Sequence, residues 1–111
     1  GDHQTALRAI AGAHDIQLGE GTYMWFCGPH FETPAEIRMS QVMGASAVGM
    51  STVPEVILAR HAGMRVAALS IITNLAAGMS DVKLSHEQTM TMAAKATGDV
   101  QVLLTEFLKN Y

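Results

Sequence analysis

In the stretch CGPHFETPAE, residues 27–36, an aromatic ring and a carboxylate stand side by side at Phe31 and Glu32. Gly28-Pro29 breaks the chain just before them, and a helix start follows just after. A carboxylate in its ionised form only accepts hydrogen bonds, so it suits a ligand edge that offers N–H groups. A ring beside it offers a face to a flat partner. Two other places have similar chemistry: Met50-Ser51-Thr52 and Thr73-Asn74 each close an apolar run. A hydroxyl at a helix start sits among unpaired N–H groups at the positive end of the dipole, which favours an anion. An Asn amide both donates and accepts. Each residue also has a plainer role. Glu32 could answer a helix dipole, Ser51 and Thr52 could cap a helix, Asn74 could cap a loop, and Tyr23, Phe31 and Val48 could be strand or core residues. His86 could merely occupy a first helical turn.

Other chemistries find less support. There is no phosphate-binding Gly-Lys-Ser/Thr loop. GEGTYM has Met24 where a dinucleotide fingerprint needs its last glycine, and His86-Glu87-Gln88-Thr89-Met90 has Met90 where a zinc-protease helix needs its second histidine. The other histidines are scattered, so no metal is expected; His3, His14 and His61 read as ordinary helix residues, and His30 is given no role. The single Cys27, between Phe26 and Gly28, reads as a buried small hydrophobe. It can form no internal disulfide, which points to a reducing cytoplasm.

The elements that must position these groups alternate. Residues 2–15 carry Ala6, Leu7, Ile10 and Ala13 at helical spacing. GTYMWFC, bounded by glycines, reads as a strand. Thr33-Pro34-Ala35-Glu36 combines a cap, a proline at the first helical position and a capping-box acid, and the helix it opens runs to about Met43, with Gly44 as its stop. SAVGM is a short strand. Thr52-Val53-Pro54-Glu55 repeats the capping-box spacing and opens a helix to Gly63. RVAALSIIT, residues 65–73, reads as a buried strand, and NLAAGMSDVKL as a loop long enough to carry function. Ser85 and Gln88 cap a last helix, with Ala93, Thr97, Val100, Leu104 and Phe107 along one face. Met39, Met43, Met64, Met90 and Met92 fall in or beside these helices, where core filling is expected.

The pattern α-β-α-β-α-β-α predicts an α/β fold with a mostly parallel sheet. In such sheets ligand groups gather beyond the carboxyl ends of strands, where Glu32, Ser51 and Asn74 all fall. The 111 residues suffice for one domain and show no internal boundary or repeat; 49% are hydrophobic, 15% are charged, and the formal net charge is −3. No basic stripe suggests nucleic acid, no apolar run is long enough for a membrane span, and GDHQTALRAI carries no signal-peptide pattern.

GTYMWFCGPHFETPAEIRM, then GASAVGMSTVPEVILARHAGMRV, then SIITNLAAG and LSH together resemble the trimeric purine nucleoside phosphorylases. The resemblance covers nearly the whole chain, and the joint occurrence of GPxFET, VGMSTVPE and ITN is specific. It implies a mixed α/β sheet with flanking helices and phosphorolysis, in which inorganic phosphate displaces a purine from ribose to leave ribose 1-phosphate. Phosphate is then a co-substrate, and no cofactor is needed. By this resemblance Glu32 reads N1–H and the exocyclic N–H of a 6-oxopurine, and Asn74 donates to N7 and O6, where leaving-group charge builds up. Phe31 stacks on the base, Val48 lines the base pocket and Thr73 joins the substrate-binding set. Tyr23 and His86 reach ribose hydroxyls, Met50 packs under the sugar and Ser51 contacts phosphate. The loop after Asn74 becomes a gate that keeps water from the ribosyl cation.

The same resemblance implies a subunit more than twice this length, with a glycine-rich phosphate loop that this chain lacks. Residues 1–111 then correspond to the C-terminal part of one phosphorylase domain, completed by the rest of the subunit in a homotrimer and inactive alone. Two alternatives stay open. One is a non-catalytic piece that serves assembly. The other is the methylthioadenosine phosphorylase branch, which expects an acid where Asn74 stands. SDVKLSH resembles xanthosine-using bacterial relatives, so inosine, guanosine and xanthosine are all candidates.

Overall fold

The elements are α1 (Asp2–Ala13), β1 (Tyr23–Trp25), α2 (Pro34–Val42), β2 (Ala47–Gly49), α3 (Val53–His61), α4 (His86–Lys95) and α5 (Thr97–Lys109). They are seen in a computed structural model that describes residues 2–81 and 85–110. β1 and β2 pair in parallel, with Tyr23 opposite Ala47, Met24 opposite Val48 and Trp25 opposite Gly49. Ser46 N–H donates to the Thr22 carbonyl and Phe26 N–H to the Gly49 carbonyl, both at 2.8 Å, which lengthens the ladder at each end. Parallel strands need a crossover, and α2 supplies it. The class is α/β, as the alternation predicts.

The start of α2 forms as its residue types dictate. Thr33 Oγ1 accepts from Glu36 N–H at 3.2 Å, and Glu36 Oε2 accepts from Thr33 N–H at 2.6 Å, with Pro34 in the first turn. The helix ends at Met43, and Gly44 follows at φ 82°. On its inner face Ile37 and Ser40 are buried, and the Ser40 hydroxyl donates to the Glu36 carbonyl at 2.8 Å. At the other end of the chain α1 packs on α5. Leu7, Ala11 and Leu103 are buried there, and His3 meets the Phe107 ring edge to face with centroids 5.5 Å apart.

Five expectations are corrected. Residues 65–73 join no ladder: among the described residues the sheet holds β1 and β2 alone. Ile72 is 65% exposed there. A strand is a relation between segments, and among the described residues none forms a ladder with this one. A cavity of about 1170 Å³ separates it from α1, α5 and the β1–β2 ladder. Thr52 does not cap α3 with its side chain, because its backbone turns to φ 76° and its hydroxyl pairs with that of Ser51 at 3.1 Å. The last helix is two. The helix breaks at Ala96, the Thr97 hydroxyl bonds back to the Ala93 carbonyl at 3.3 Å and Gly98 follows; Leu103 rather than Leu104 is buried. Met39, Met43, Met64, Met90 and Met92 are exposed, since α2, α3 and α4 turn apolar side chains away from the small core. Cys27 is exposed too.

The loop after Asn74 is described as far as Asp81. It lies against α2: Gly78 comes so close to Pro34 that a Cβ would stand 3.1 Å from the proline Cβ, and Gln41 donates weakly to Met79 Sδ at 3.9 Å. Residues 82–84 of the expected loop, including Leu84 of the LSH motif, lie outside the described residues.

Candidate active site at the strand ends

β1 runs through Phe26 and Cys27 into Gly28, and the chain then turns so that Glu32 points inward one residue before the α2 cap. Glu32 is only 9% exposed, and its Oε1 is buried with no hydrogen-bond partner. Burying a carboxylate oxygen without a partner is costly, and native proteins rarely tolerate it without a use. Beside it is a cavity of about 90 Å³, lined also by Phe26, Cys27, Gly28, His30 and Glu36. That volume admits a few ligand or water atoms, so the edge of a flat base fits there and a whole purine does not. Glu36 on the far wall is already committed. The Thr33 backbone N–H, and after it the Thr33 hydroxyl, hold its carboxyl below the ordinary value, with a smaller contribution from His30. Of the two carboxylates, Glu32 is the one with an oxygen buried without a partner.

The corner after β2 brings together Tyr23, Met50 and Ser51. The Tyr23 hydroxyl accepts from Ser51 N–H at 3.3 Å. Its ring lies on Gly49, where a Cβ would collide with the hydroxyl and stand 2.9 Å from Cζ. Met50 crosses to the other strand end, and a Cβ on Gly28 would stand 2.8 Å from its sulfur. Gly28, which lines the Glu32 cavity, thus touches the residue expected beneath the sugar. Val48, at the middle of β2 opposite Met24, is half-buried.

The remaining expected residues stand apart from this corner. Thr73 Oγ1 donates to Asn74 Oδ1 at 2.7 Å, and Asn74 Nδ2 donates to the Leu75 carbonyl at 2.9 Å. This pair fixes the amide's orientation and leaves its nitrogen one N–H beyond the bond to Leu75. Phe31 is 44% exposed, and neither it nor Asn74 lines the Glu32 cavity. His86 opens α4 and is exposed. Sequence reasoning missed Gly28 and Gly49 as close-approach positions, although a glycine at a strand end is a signal for that. It also missed the unusual backbone of Thr52, which no local signal announces.

A buried, unpartnered acid and a hydroxyl turn thus stand at the ends of the two paired strands of an α/β crossover. The sequence model of the phosphorylase superfamily matches residues 2–109, and the chain belongs to that superfamily. A purine nucleoside phosphorylase from a Cellulomonas species is 47% identical over 103 residues, covering 93% of this chain and 36% of that protein. The solved structure of Schistosoma mansoni purine nucleoside phosphorylase in complex with inosine superposes with a TM-score of 0.93 at 33% identity, covering 99% of this chain and 40% of that one. A Schistosoma purine nucleoside phosphorylase in complex with guanosine gives 0.91 at 34% identity, over 96% of this chain and 40% of that one. The chain therefore spans about two fifths of the length of these relatives.

Proposed function

We propose that this chain supplies the base and ribose contacts of a purine nucleoside phosphorylase acting on 6-oxopurine nucleosides. In that reaction a phosphate oxygen bonds to the anomeric carbon while the bond to the purine nitrogen breaks. The bonding electrons leave with the base, and the products are free purine and ribose 1-phosphate. Glu32 accepts from N1–H and the exocyclic N–H, and Asn74 donates its remaining N–H where charge builds on the leaving base. Phe31, Val48 and Thr73 complete the base pocket, His86 and Met50 surround the sugar, and Tyr23 belongs to the same substrate-binding corner. Ser51 faces phosphate, the co-substrate, and no metal or organic cofactor is required. Relatives of known structure bound to inosine and guanosine support the substrate class. Within the proposal residues 1–111 are the C-terminal part of one phosphorylase domain, in a cytoplasmic homotrimer.

The observation that carries this proposal is the buried Glu32 oxygen without a partner beside a cavity sized for a base edge. Glu32→Ala in the intact protein should abolish phosphate-dependent release of hypoxanthine from inosine; normal turnover refutes the proposal. Asn74 separates the 6-oxopurine branch from the 6-aminopurine one. Its amide nitrogen is a donor, whereas a 6-amino group needs an acceptor, so Asn74→Asp should shift preference from inosine toward adenosine.

A second reading concerns the 111-residue chain by itself. Its large open cavity, and a stretch 65–73 that joins no ladder among the described residues, favour a half-site that does not turn over. Calorimetric titration of this chain with hypoxanthine alongside an activity assay tests it: turnover by the chain alone would contradict it.

A further inference from the structure

The turn after β2 adopts a backbone that its residues resist. Thr52 lies at φ 76° and ψ −54°, and Val53 N–H donates back to the Ser51 carbonyl at 2.8 Å. This is a γ-turn of the rare positive-φ kind, with a β-branched residue at its centre. Such strain persists only where the surroundings over-determine the conformation.

The surroundings here come from β1. Tyr23 pairs with Ala47, and its ring extends along β2 over Gly49 to bring the hydroxyl to Ser51 N–H at 3.3 Å. Gly49 leaves room for the ring, since any Cβ would collide with the hydroxyl. Met50 is pinned on its other side against Gly28. The residue entering the strained turn is thus held from the neighbouring strand through one hydrogen bond and one ring contact.

We infer that Tyr23 is a positioning residue: its hydroxyl braces the Ser51–Thr52–Val53 turn and so aims the Ser51 side chain. This departs from a direct ribose contact by Tyr23, and it rests on the proposal that Ser51 faces phosphate.

The test uses the intact protein with Tyr23→Phe, which keeps the ring on Gly49 and removes only the hydrogen bond. Amide hydrogen exchange at Ser51 should accelerate about tenfold, the effect of losing one hydrogen bond; an unchanged rate overturns the inference, and this readout needs no turnover. The KM for inorganic phosphate should rise by about the same factor, with a much smaller change in the KM for inosine. A rise confined to the inosine KM assigns Tyr23 to the ribose and overturns the inference. Thr52→Gly takes a positive φ without strain, so in that background Tyr23→Phe should cost about threefold or less. An equal loss in both backgrounds overturns the bracing role. Ser51→Ala separates the two levels. If it raises the phosphate KM and Tyr23→Phe does not, only the brace fails. If Ser51→Ala leaves the phosphate KM unmoved, the placement of phosphate at Ser51 fails, and the exchange rate at Ser51 alone decides the brace.

Discussion

Glu32 should trade stability for binding, and Glu32→Met measures both sides. Methionine has a similar length and volume but no oxygen to satisfy. In the ligand-free protein, Glu32 Oε1 is buried without a partner. An unsatisfied buried polar group costs about 1–3 kcal/mol, and more when charged. Removing it should therefore stabilise the free protein by about that amount. For a chain of this size each kcal/mol moves the melting temperature by about 4–8 °C. With a base bound the balance reverses. A hydrogen bond to a charged group contributes about 1.5–3 kcal/mol, so losing one should weaken hypoxanthine binding about 10- to 150-fold. Calorimetric melts without ligand, followed by isothermal titration with hypoxanthine, give both numbers on one sample. A Glu32→Met protein that melts lower than the parent refutes the reasoning, because the carboxylate would then be satisfied within the fold.

Thr33→Ala removes the cap of α2 and should destabilise the protein by about 0.5–2 kcal/mol in urea titration. The same box predicts a pH dependence. The Glu36 carboxyl is held below its ordinary value of 4.5, chiefly by the Thr33 backbone N–H. Its contribution to stability is thus complete above about that pH and is lost as the pH falls through the depressed value. Melting followed from pH 6 downward should show this acid loss in the parent and a smaller one in Thr33→Ala, where the Thr33 hydroxyl no longer contributes. Leu103→Ala should cost about 2–5 kcal/mol by equilibrium unfolding, since Leu103 is buried against α1, whereas Leu104→Ala, at an exposed position, should cost far less.

Much of the crossover was legible because it is written in short-range chemistry. Thr33-Pro34-Ala35-Glu36 can form a capping box from its own residues, and it does. Gly44 likewise ends α2 by local means. The misreadings share a different cause: each depended on what lay across from the residue. Residues 65–73 have a strand's composition, but composition cannot provide a ladder neighbour. Thr52 had the spacing of a cap, yet it sits at the centre of a γ-turn closed by Val53 N–H on the Ser51 carbonyl, in a conformation that threonine disfavours. Leu103 rather than Leu104 is buried where α5 meets α1, a choice set by the packing partner. The site divides in the same way. Glu32 was singled out from its chemistry and its motif, and its burial appears only in the fold, while the link from Gly28 to Met50 and from Gly49 to Tyr23 required the two strand ends to be side by side.

The most direct test of Glu32 as the acceptor for a purine edge is a crystal structure of the intact protein grown with hypoxanthine. N1 of the base should lie within about 3.2 Å of a Glu32 carboxylate oxygen, the reach of an N–H···O hydrogen bond. A base seated elsewhere, with the Glu32 oxygen still unpartnered, contradicts it.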